Sequence, residues 1–254
     1  MINNLDGRVV LVTGASSGLG RHFALAAAAA GAKIAVAARR IDRLANLQAE
    51  IEANGGTAFA VEFDVTNEAS VIAGYDSIEE RLGTVTSVLA NAGMNSAGSA
   101  LGLSVEGWDQ VMDVNLRGVF LTAREGARRM IAAGSADSEN GRIVLLGSAG
   151  SHTVLNRLVA YNTSKAGVLM MGKALAKEWA LKGVNVNVIC PGWIKTELNT
   201  EWLESSAGQE LINSFPRRRV MEPADLVPIT LHLLSDASRT ITGGGFELDD
   251  GATL

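Results

Sequence analysis

Residues 9–20 read VVLVTGASSGLG, and this stretch decides the fold. It begins with a continuous apolar run at 9–12 and then places three glycines in the spacing G-x-x-x-G-x-G. Glycines at a strand-to-helix turn let the backbone approach a pyrophosphate, and the following helix N-terminus supplies aligned N–H donors. Glycine turns without a ligand are common, so a dinucleotide site is favoured only because this turn opens an alternation of strands and helices. The residues expected to form the site are Gly14, Ser16, Ser17, Gly18, Leu19 and Gly20.

The remainder of the chain continues that alternation. Short runs of consecutive apolar residues, in which polar residues do not alternate with apolar ones, are typical of parallel strands that are covered on both faces. They predict strands at 9–12, 33–37, 58–63, 85–90, 142–146 and 184–189, with a last candidate at 245–248. The predicted helices are 20–30, 42–53, 68–82, 108–132, 158–182 and 223–234. We therefore expect an α/β fold, with a doubly wound parallel sheet of about seven strands and helices on both faces.

Two other stretches complete this picture. The polar residues 134–141 predict a surface loop, and residues 193–219 lack clear periodicity just beyond a strand end. No linker rich in proline, glycine and serine divides the sequence, so we expect a single domain over residues 1–254.

The composition limits the classes of function. The chain has 254 residues, of which 47% are hydrophobic, and its net charge of −5 gives no support for nucleic acid as a partner. The single cysteine, Cys190, excludes an intramolecular disulfide, fits a reducing compartment and has the apolar neighbours of a buried strand-end thiol. The N-terminus lacks the pattern of a secretion signal, and the apolar run 24–30 is too short to span a bilayer. We expect a cytoplasmic protein with neither nucleic-acid nor membrane partners.

The tip of the second predicted strand bears on the type of dinucleotide. An acidic residue there accepts hydrogen bonds from the adenosine ribose and repels a 2′-phosphate. This chain has Arg39 and Arg40 at the tip instead, and the guanidinium fork of Arg39 suits a phosphate. The alternative is a surface arginine tied to Asp42 or to solvent. We therefore expect NADP(H) in preference to NAD(H), although Ser17 in the glycine turn offers that phosphate a hydroxyl and not a basic group.

Tyr161 and Lys165 are candidates for acid–base chemistry. They stand four residues apart, about one helical turn, so on a helix both side chains project from the same face. A lysine cation beside a phenol lowers the tyrosine pKa from its usual value near ~10, which suits carbonyl reduction or alcohol oxidation. Taken alone, the pair is better explained by chance spacing. The other tyrosine, Tyr75, has Glu79 four residues on, and a carboxylate there does not favour a phenolate.

Further motifs surround this pair in a specific order. The glycine turn is followed by Asn91-Ala92-Gly93, Asn115, Ser148, Tyr161-x-x-x-Lys165 and Pro191-Gly192. With these motifs the chain resembles the short-chain dehydrogenase/reductase family, in its compact single-domain branch, over essentially its whole length. Each motif is weak by itself, but their ordered co-occurrence is specific. The resemblance implies a Rossmann fold, a nicotinamide cofactor and an oxidoreductase that acts on CH–OH groups as an alcohol dehydrogenase or ketoreductase.

The resemblance also implies roles for individual residues. Tyr161 would be the general acid in reduction, and Lys165 would lower its pKa and bind the nicotinamide ribose. Ser148 would stabilise the substrate oxygen, and Asn115 would position a water beside Lys165. The alternatives are a turn hydroxyl for Ser148 and a locally bonded helix amide for Asn115. The other implied cofactor contacts are Asp64, Val65, Asn91, Gly93, Pro191, Gly192, Ile194 and Thr196.

The substrate pocket is expected between the segment after Ser148 and the stretch after Pro191. A mainly apolar and aromatic wall is typical of a ligand pocket and favours a hydrophobic, bulky ketone or secondary alcohol as the small-molecule substrate. Core packing is the alternative for individual members of this wall. The candidate wall residues are His152, Leu155, Trp193, Leu198, Trp202 and Leu203.

Two other functions stay open. Reduction of a 3-oxoacyl group on an acidic carrier protein would use a basic face formed by Arg124, Arg128 and Arg129, although such a run is more often a solvated helix face. A cofactor-sensing protein without catalysis is disfavoured because the tyrosine, lysine and serine are all present. The resemblance also implies a homo-oligomer, a tetramer or dimer, although residues 247–251 depart from the single aspartate and paired glycines of many relatives.

Overall fold

The computed structural model describes residues 4–196 and 199–254. Within them, seven parallel strands form one sheet in the order β3-β2-β1-β4-β5-β6-β7. The strands are β1 Val9–Thr13, β2 Lys33–Ala38, β3 Thr57–Glu62, β4 Ser87–Ala90, β5 Gly141–Leu146, β6 Val184–Pro191 and β7 Gly245–Leu248. The doubly wound parallel sheet that the sequence predicts is confirmed.

Helices cover both faces of the sheet and enclose two apolar cores. One core contains side chains of α3, α5 and α7, and the other contains side chains of α1, α2 and α10. The helices are α1 Gly18–Ala29, α2 Ile41–Ala53, α3 Glu68–Leu82, α4 Val105–Met112, α5 Gly118–Ala132, α6 Ser135–Ser138, α7 Val159–Trp179, α8 Thr200–Glu204, α9 Ser206–Ser214 and α10 Val227–Leu234. Along the central strand β1, Val9 and Leu11 enter the first core, whereas Val10 and Val12 enter the second, as the alternation of a strand requires. None of the helices in the described residues combines the length and the apolar character that a membrane crossing needs.

Local sequence signals account for the ends of several elements. The Asn67 side chain accepts a hydrogen bond from Ser70 N (3.2 Å) and caps α3, and Gly83, with a φ of 96°, ends it. In α2 the buried residues Leu44, Leu47 and Ile51 follow a helical spacing. The predicted bounds of α3 and β7 match the observed ones.

Three segments differ from the expectation. The predicted helix 108–132 begins at Val105 and contains a π-helical turn, Asp113–Arg117, between α4 and α5. The expected surface loop 134–141 contains α6, and its Ser135 is buried. Residues 193–219 form α8 and α9, which are too short to show a clear helical period in the sequence.

The strand order determines where a ligand can bind. Chain order runs outward from β1 to β2 and β3 on one side, and from β4 to β7 on the other. The connections that leave β1 and β4 therefore diverge to opposite faces of the sheet. A crevice opens between them at the carboxyl ends of the strands, which is the usual binding position in such folds.

Candidate active site

A cleft of about 1020 Å³ lies at this switch in strand order. Of the predicted site residues, the cleft brings together Gly14, Ser16, Ser17, Gly18, Leu19, Gly20, Arg39, Asp64, Val65, Asn91, Gly93, Tyr161, Lys165 and Thr196. The predicted dinucleotide turn and the predicted proton-transfer pair thus line the same cavity.

The glycine turn is tightly packed against the end of β4. Gly14 has a φ of 68°, a region that favours glycine. A Cβ on Gly20 would lie 2.4 Å from Gly14 O and 2.5 Å from Asn91 Nδ2, so a side chain there would displace the turn. Asn91 Nδ2 in turn donates to Thr13 O at 2.9 Å. Asn91 therefore holds the ends of β1 and β4 together while it lines the cleft.

Arg40 is the arginine that contacts the glycine turn. Its Nη2 donates to Ser16 Oγ at 2.9 Å and lies 3.2 Å from Ser17 Oγ. Arg39 also lines the cleft and is exposed to solvent, as the surface-arginine alternative expects, although no ion pair joins it to Asp42 in the described residues. Sequence reasoning selected Arg39 alone, although both arginines stand at the same strand tip.

Asp64 follows β3 and faces the same cavity. Its Oδ1 accepts hydrogen bonds from Thr66 N (3.0 Å) and Thr66 Oγ1 (2.8 Å), which fix the carboxylate at the strand end. Val65 lies beside it in the lining and packs against Gly118 at the start of α5.

Tyr161 and Lys165 project from the first turns of α7 into the cleft. Lys165 Nζ lies 5.7 Å from the centroid of the Tyr161 ring and donates to Leu146 O at 2.7 Å, at the end of β5. Burial lowers the pKa of Lys165 from 10.5 to about 8, and Cys190 opposes this only in part.

The predicted lowering of the Tyr161 pKa is wrong for this structure. Burial raises the pKa of Tyr161 above its usual value of 10.0, and the interaction with the Ser148 side chain offsets this only partly. The Lys165 ammonium donates to Leu146 O, and it does not offset this effect of burial on the resting phenol. Tyr161 is therefore a protonated phenol at neutral pH.

Ser148 is buried directly after β5, behind the cleft lining. Its Oγ accepts a hydrogen bond from Gly150 N at 3.1 Å, as the predicted turn hydroxyl would. Because that bond uses a lone pair of the oxygen, the hydroxyl proton stays available for a partner such as a substrate oxygen.

Asn115 lies in the π-helical turn and is fully buried. Its Oδ1 accepts from Met94 N (2.8 Å), and its Nδ2 donates to Met94 O (2.8 Å) and to Ser164 Oγ (3.1 Å). These partners are far away in the sequence, so the alternative of a locally bonded helix amide is wrong. A Cβ on Gly93 would lie 3.5 Å from Asn115 Oδ1 and 3.6 Å from Lys165 Nζ, which places the three residues together.

The first residues after β6 pack away from the cleft, and Thr196, further along the same segment, lies in its lining. Pro191 ends β6, Gly192 N donates to Leu248 O (2.9 Å), and the buried Ile194 pairs with Met221. These three residues are outside the cleft lining, whereas Thr196 is in it. Asn199, which the sequence did not indicate, accepts from Thr196 N at 2.8 Å, donates to Ile194 O at 2.8 Å and lines the cleft.

None of the predicted substrate-wall residues that the structure describes lines the cleft, and their observed contacts are partly aromatic and partly polar or charged. Trp193 and Trp202 stack with ring centroids 5.4 Å apart and an angle of 20° between the planes. His152 Nε2 lies 3.5 Å from Glu247 Oε1, so one wall residue belongs to an ion pair when it is protonated. Leu203 is buried and belongs to the packing of α8, while Leu155 packs near Gly150. Leu198 lies outside the described residues.

The three arginines of α5 are all engaged by acidic side chains. Arg124 pairs with Glu68, Arg128 pairs with Glu125, and Arg129 pairs with Glu125 and with two further carboxylates. This pairing neutralises the basic face on which the acyl-carrier alternative was based.

Two further predictions concern groups outside the lining. Tyr75 is buried and donates its hydroxyl to Thr122 O at 2.8 Å. Burial raises the pKa of Tyr75 well above its usual range, and Glu125 and Glu79 raise it further. The phenolate form of Tyr75 is therefore disfavoured, as predicted. Cys190 is a free, buried thiol in β6, as predicted.

The sequence model of the family described as short chain dehydrogenase matches residues 8–207. The chain belongs to the short-chain dehydrogenase/reductase family. Members are oxidoreductases that bind a nicotinamide cofactor and act on CH–OH groups, and this short-chain dehydrogenase/reductase shares that chemistry.

Individual relatives cover almost the whole chain. A D-threitol dehydrogenase of Mycolicibacterium smegmatis is 34% identical over 250 residues, which are 98% of this chain and 94% of the relative. An NADP-dependent (R)-specific alcohol dehydrogenase of Lentilactobacillus kefiri is 35% identical, over 100% of this chain and 99% of the relative. A solved gluconate 5-dehydrogenase of Burkholderia cenocepacia, in complex with NADP and tartrate, has a TM-score of 0.93 and 32% identity, over 99% of this chain and 97% of that chain.

Proposed function

We propose that this enzyme transfers a hydride between NADP(H) and a ketone or secondary alcohol, with Tyr161 as general acid and base. One observation carries the proposal: Tyr161 and Lys165 line the same cleft as the glycine turn, with Ser148 and Asn115 packed directly behind them. A proton donor, an oxygen-binding hydroxyl and a dinucleotide turn then act at one place.

The residues of the cleft fit a nicotinamide dinucleotide. The turn has no room for a Cβ at Gly20, it precedes the N-terminus of α1, and it carries the hydroxyls of Ser16 and Ser17 beside the Arg40 guanidinium. N–H donors, hydroxyls and a cation are the groups that bind phosphates. When bound, NADPH supplies the hydride for carbonyl reduction.

The proton steps follow from the state of each side chain. The Ser148 hydroxyl, held by Gly150 N, donates to the substrate oxygen and stabilises its developing charge. Tyr161, kept protonated by burial, gives its proton to the same oxygen. Lys165, with a pKa of about 8, is mostly charged at pH 7 and favours the phenolate that this transfer leaves. Asn115 fixes the segment at Met94 opposite Lys165.

Tyr161→Phe tests this assignment. We expect kcat to fall by at least about 100-fold, while the dissociation constant of NADPH stays within about threefold, because only the transferable proton is lost. Tyr75→Phe is the matched control, since it removes another buried tyrosine hydroxyl, bound to Thr122 O, away from the cleft. A Tyr161→Phe enzyme with a near-normal rate would contradict the proposal.

NADP(H) preference is supported by the two arginines at the end of β2 and by the absence of an acid there. Arg40→Ala and Arg39→Ala are each expected to lower kcat/KM for NADPH by about tenfold or more and to leave that for NADH within about threefold. Arg43→Ala, an exposed arginine outside the lining, controls for net charge. Wild-type preference for NADH would refute the cofactor assignment.

A hydrophobic ketone or secondary alcohol is the proposed substrate class, and the stacked Trp193 and Trp202 support it. The His152–Glu247 pair favours a second candidate, a polyhydroxy compound, and relatives named for threitol and gluconate agree with it. A panel of aryl ketones, polyols and 3-oxoacyl thioesters, followed by NADPH absorbance, separates these classes. Turnover of polyols alone would replace the first class with the second.

A homo-oligomer, a tetramer or dimer, is also proposed. Several large apolar side chains are exposed on the described surface, among them Leu101, Val105 and Met170, and burying them in an interface would stabilise an assembly. Light scattering coupled to size exclusion measures the mass, and a monomer at micromolar concentration would contradict this expectation.

A further inference from the structure

One side-chain hydroxyl beside the proton-transfer centre has no role in the steps above. Ser151 ends the 3-10 turn Ala149–Ser151 that follows Ser148. Its Oγ donates to Lys165 O at 2.8 Å and accepts from Ser148 N at 3.2 Å. A single hydroxyl therefore joins the backbone of the oxygen-binding serine to the backbone of the lysine.

The bond to Lys165 O is not needed to complete the helix. Lys165 lies within α7, where the helix itself supplies a donor to each interior carbonyl. The Ser151 hydroxyl uses the second lone pair of that oxygen. This contact therefore ties α7 to the turn that follows β5, and it is not part of the hydrogen bonding within the helix.

The bond to Ser148 N belongs to a reciprocal cap. Ser148 Oγ accepts from Gly150 N (3.1 Å), while Ser148 N donates to Ser151 Oγ. Both the side chain and the backbone of Ser148 are thus held by the turn that Ser151 closes.

A third element meets the turn at the same point. Cys190, near the end of β6, contacts it closely, since a Cβ on Gly147 would lie 2.8 Å from Cys190 Sγ. Burial raises the pKa of the Cys190 thiol, and its closeness to Ser151 and to the Ser148 backbone offsets this only in part. Ser151 therefore lies between the carboxyl ends of β5 and β6 and the helix α7.

We propose that Ser151 is a positioning residue, which sets the placement of Ser148 relative to Tyr161 and Lys165 through its two backbone hydrogen bonds. The inference rests on the proposed function, because it assigns those three residues to proton transfer. Without the hydroxyl, Ser148 N loses its acceptor and the strand end is free to shift relative to α7. A small displacement between reacting groups lowers the rate of the chemical step more than it lowers binding.

Ser151→Ala tests the proposal, and Ser135→Ala is the matched control. Ser135 is a buried serine whose hydroxyl donates to Lys182 O at 2.6 Å, so this control also removes a buried bond to a lysine carbonyl. It lies near the start of β5, at the opposite end of the sheet from Ser148. We expect Ser151→Ala to lower kcat by about tenfold or more, with KM values and the NADPH dissociation constant within about threefold, and Ser135→Ala to leave kcat unchanged.

Amide hydrogen exchange at Ser148 provides a readout that needs no turnover. We expect faster exchange at this amide in Ser151→Ala than in the wild type or in Ser135→Ala, because its acceptor is gone. Absence of NADPH oxidation by the wild type with every carbonyl would refute the proposed function, and exchange would still decide the Ser151 contacts. Unchanged exchange at Ser148, or an equal loss of kcat in both serine variants, would overturn the positioning role.

Discussion

Lys165→Met is expected to make the protein more stable while it removes activity. The ammonium of Lys165 is buried, and its pKa falls from 10.5 to about 8. This drop corresponds to a cost of about 3 kcal/mol for holding the charge in the folded protein at pH 7. Methionine has a similar length and no charge, so it removes that cost. It also leaves Leu146 O without its hydrogen-bond donor, and this loss offsets about 1 kcal/mol of the gain in the free energy of unfolding.

The net gain is about 2 kcal/mol at pH 7, which corresponds to a rise of about 4 °C in the unfolding temperature for a chain of this size. Turnover is expected to fall by at least about 100-fold because the cation that favours the phenolate is lost. Lys173→Met, an exposed lysine on the same helix, is the matched control and should change stability by less than about 0.5 kcal/mol.

The dependence on pH provides the sharper test. A lysine whose folded pKa is lowered carries its full cost below pH 8, and the cost is relieved as pH rises from about 8 towards 10.5. The stability advantage of Lys165→Met should therefore shrink by about 2 kcal/mol between pH 7 and pH 9.5. Thermal unfolding of both proteins across this range measures it. A variant that is less stable than the wild type at pH 7, with a difference that does not change with pH, would refute the reasoning.

Two further predictions concern packing around the site and away from it. Gly20→Ala places a Cβ 2.4 Å from Gly14 O, so we expect a loss of about 1–3 kcal/mol in stability and at least about tenfold weaker NADPH binding. Gly102→Ala, where a Cβ meets nothing within 4 Å, is the control, and wild-type NADPH binding by Gly20→Ala would contradict the expectation. Glu125→Gln removes a buried carboxylate that accepts from Arg128 and Arg129, and we expect urea unfolding to show a loss of about 1–3 kcal/mol with kcat unchanged. Equal free energies of unfolding for this variant and the wild type would show that the charge of the buried carboxylate does not contribute to stability.

Much of the fold follows from the sequence because its signals are local. Continuous apolar runs and helical spacing are properties of neighbouring residues, so strands such as β7 and helices such as α3 are predicted within their observed bounds. The π-helical turn at Asp113–Arg117 is different. It is stabilised by the bonds of Asn115 to Met94 and Ser164, which come from distant parts of the chain, and no periodicity in the turn itself indicates them.

The sequence predicted many of the residues that line the cleft but not the electrostatics of the cleft. Spacing places Tyr161 and Lys165 on one face of a helix, and both line the cleft. The direction of the Tyr161 pKa depends instead on burial and on which acceptor the lysine finds, and Leu146 O is supplied by another strand. Arg40 and Ser151 were missed for the same reason, since a side chain's partners across the fold leave no pattern in its sequence neighbours.

Two features that cost stability lie where the chemistry is proposed. They are a buried ammonium with a carbonyl acceptor and a π-helical turn, both near the carboxyl ends of β4 and β5. Away from the site, the buried carboxylate of Glu125 is paired with two arginines. Packing alone gives no reason to retain Lys165, because an apolar side chain of similar length would be more stable there. Its charge would favour a phenolate formed at Tyr161, so the cost of burying it agrees with the proposed proton transfer.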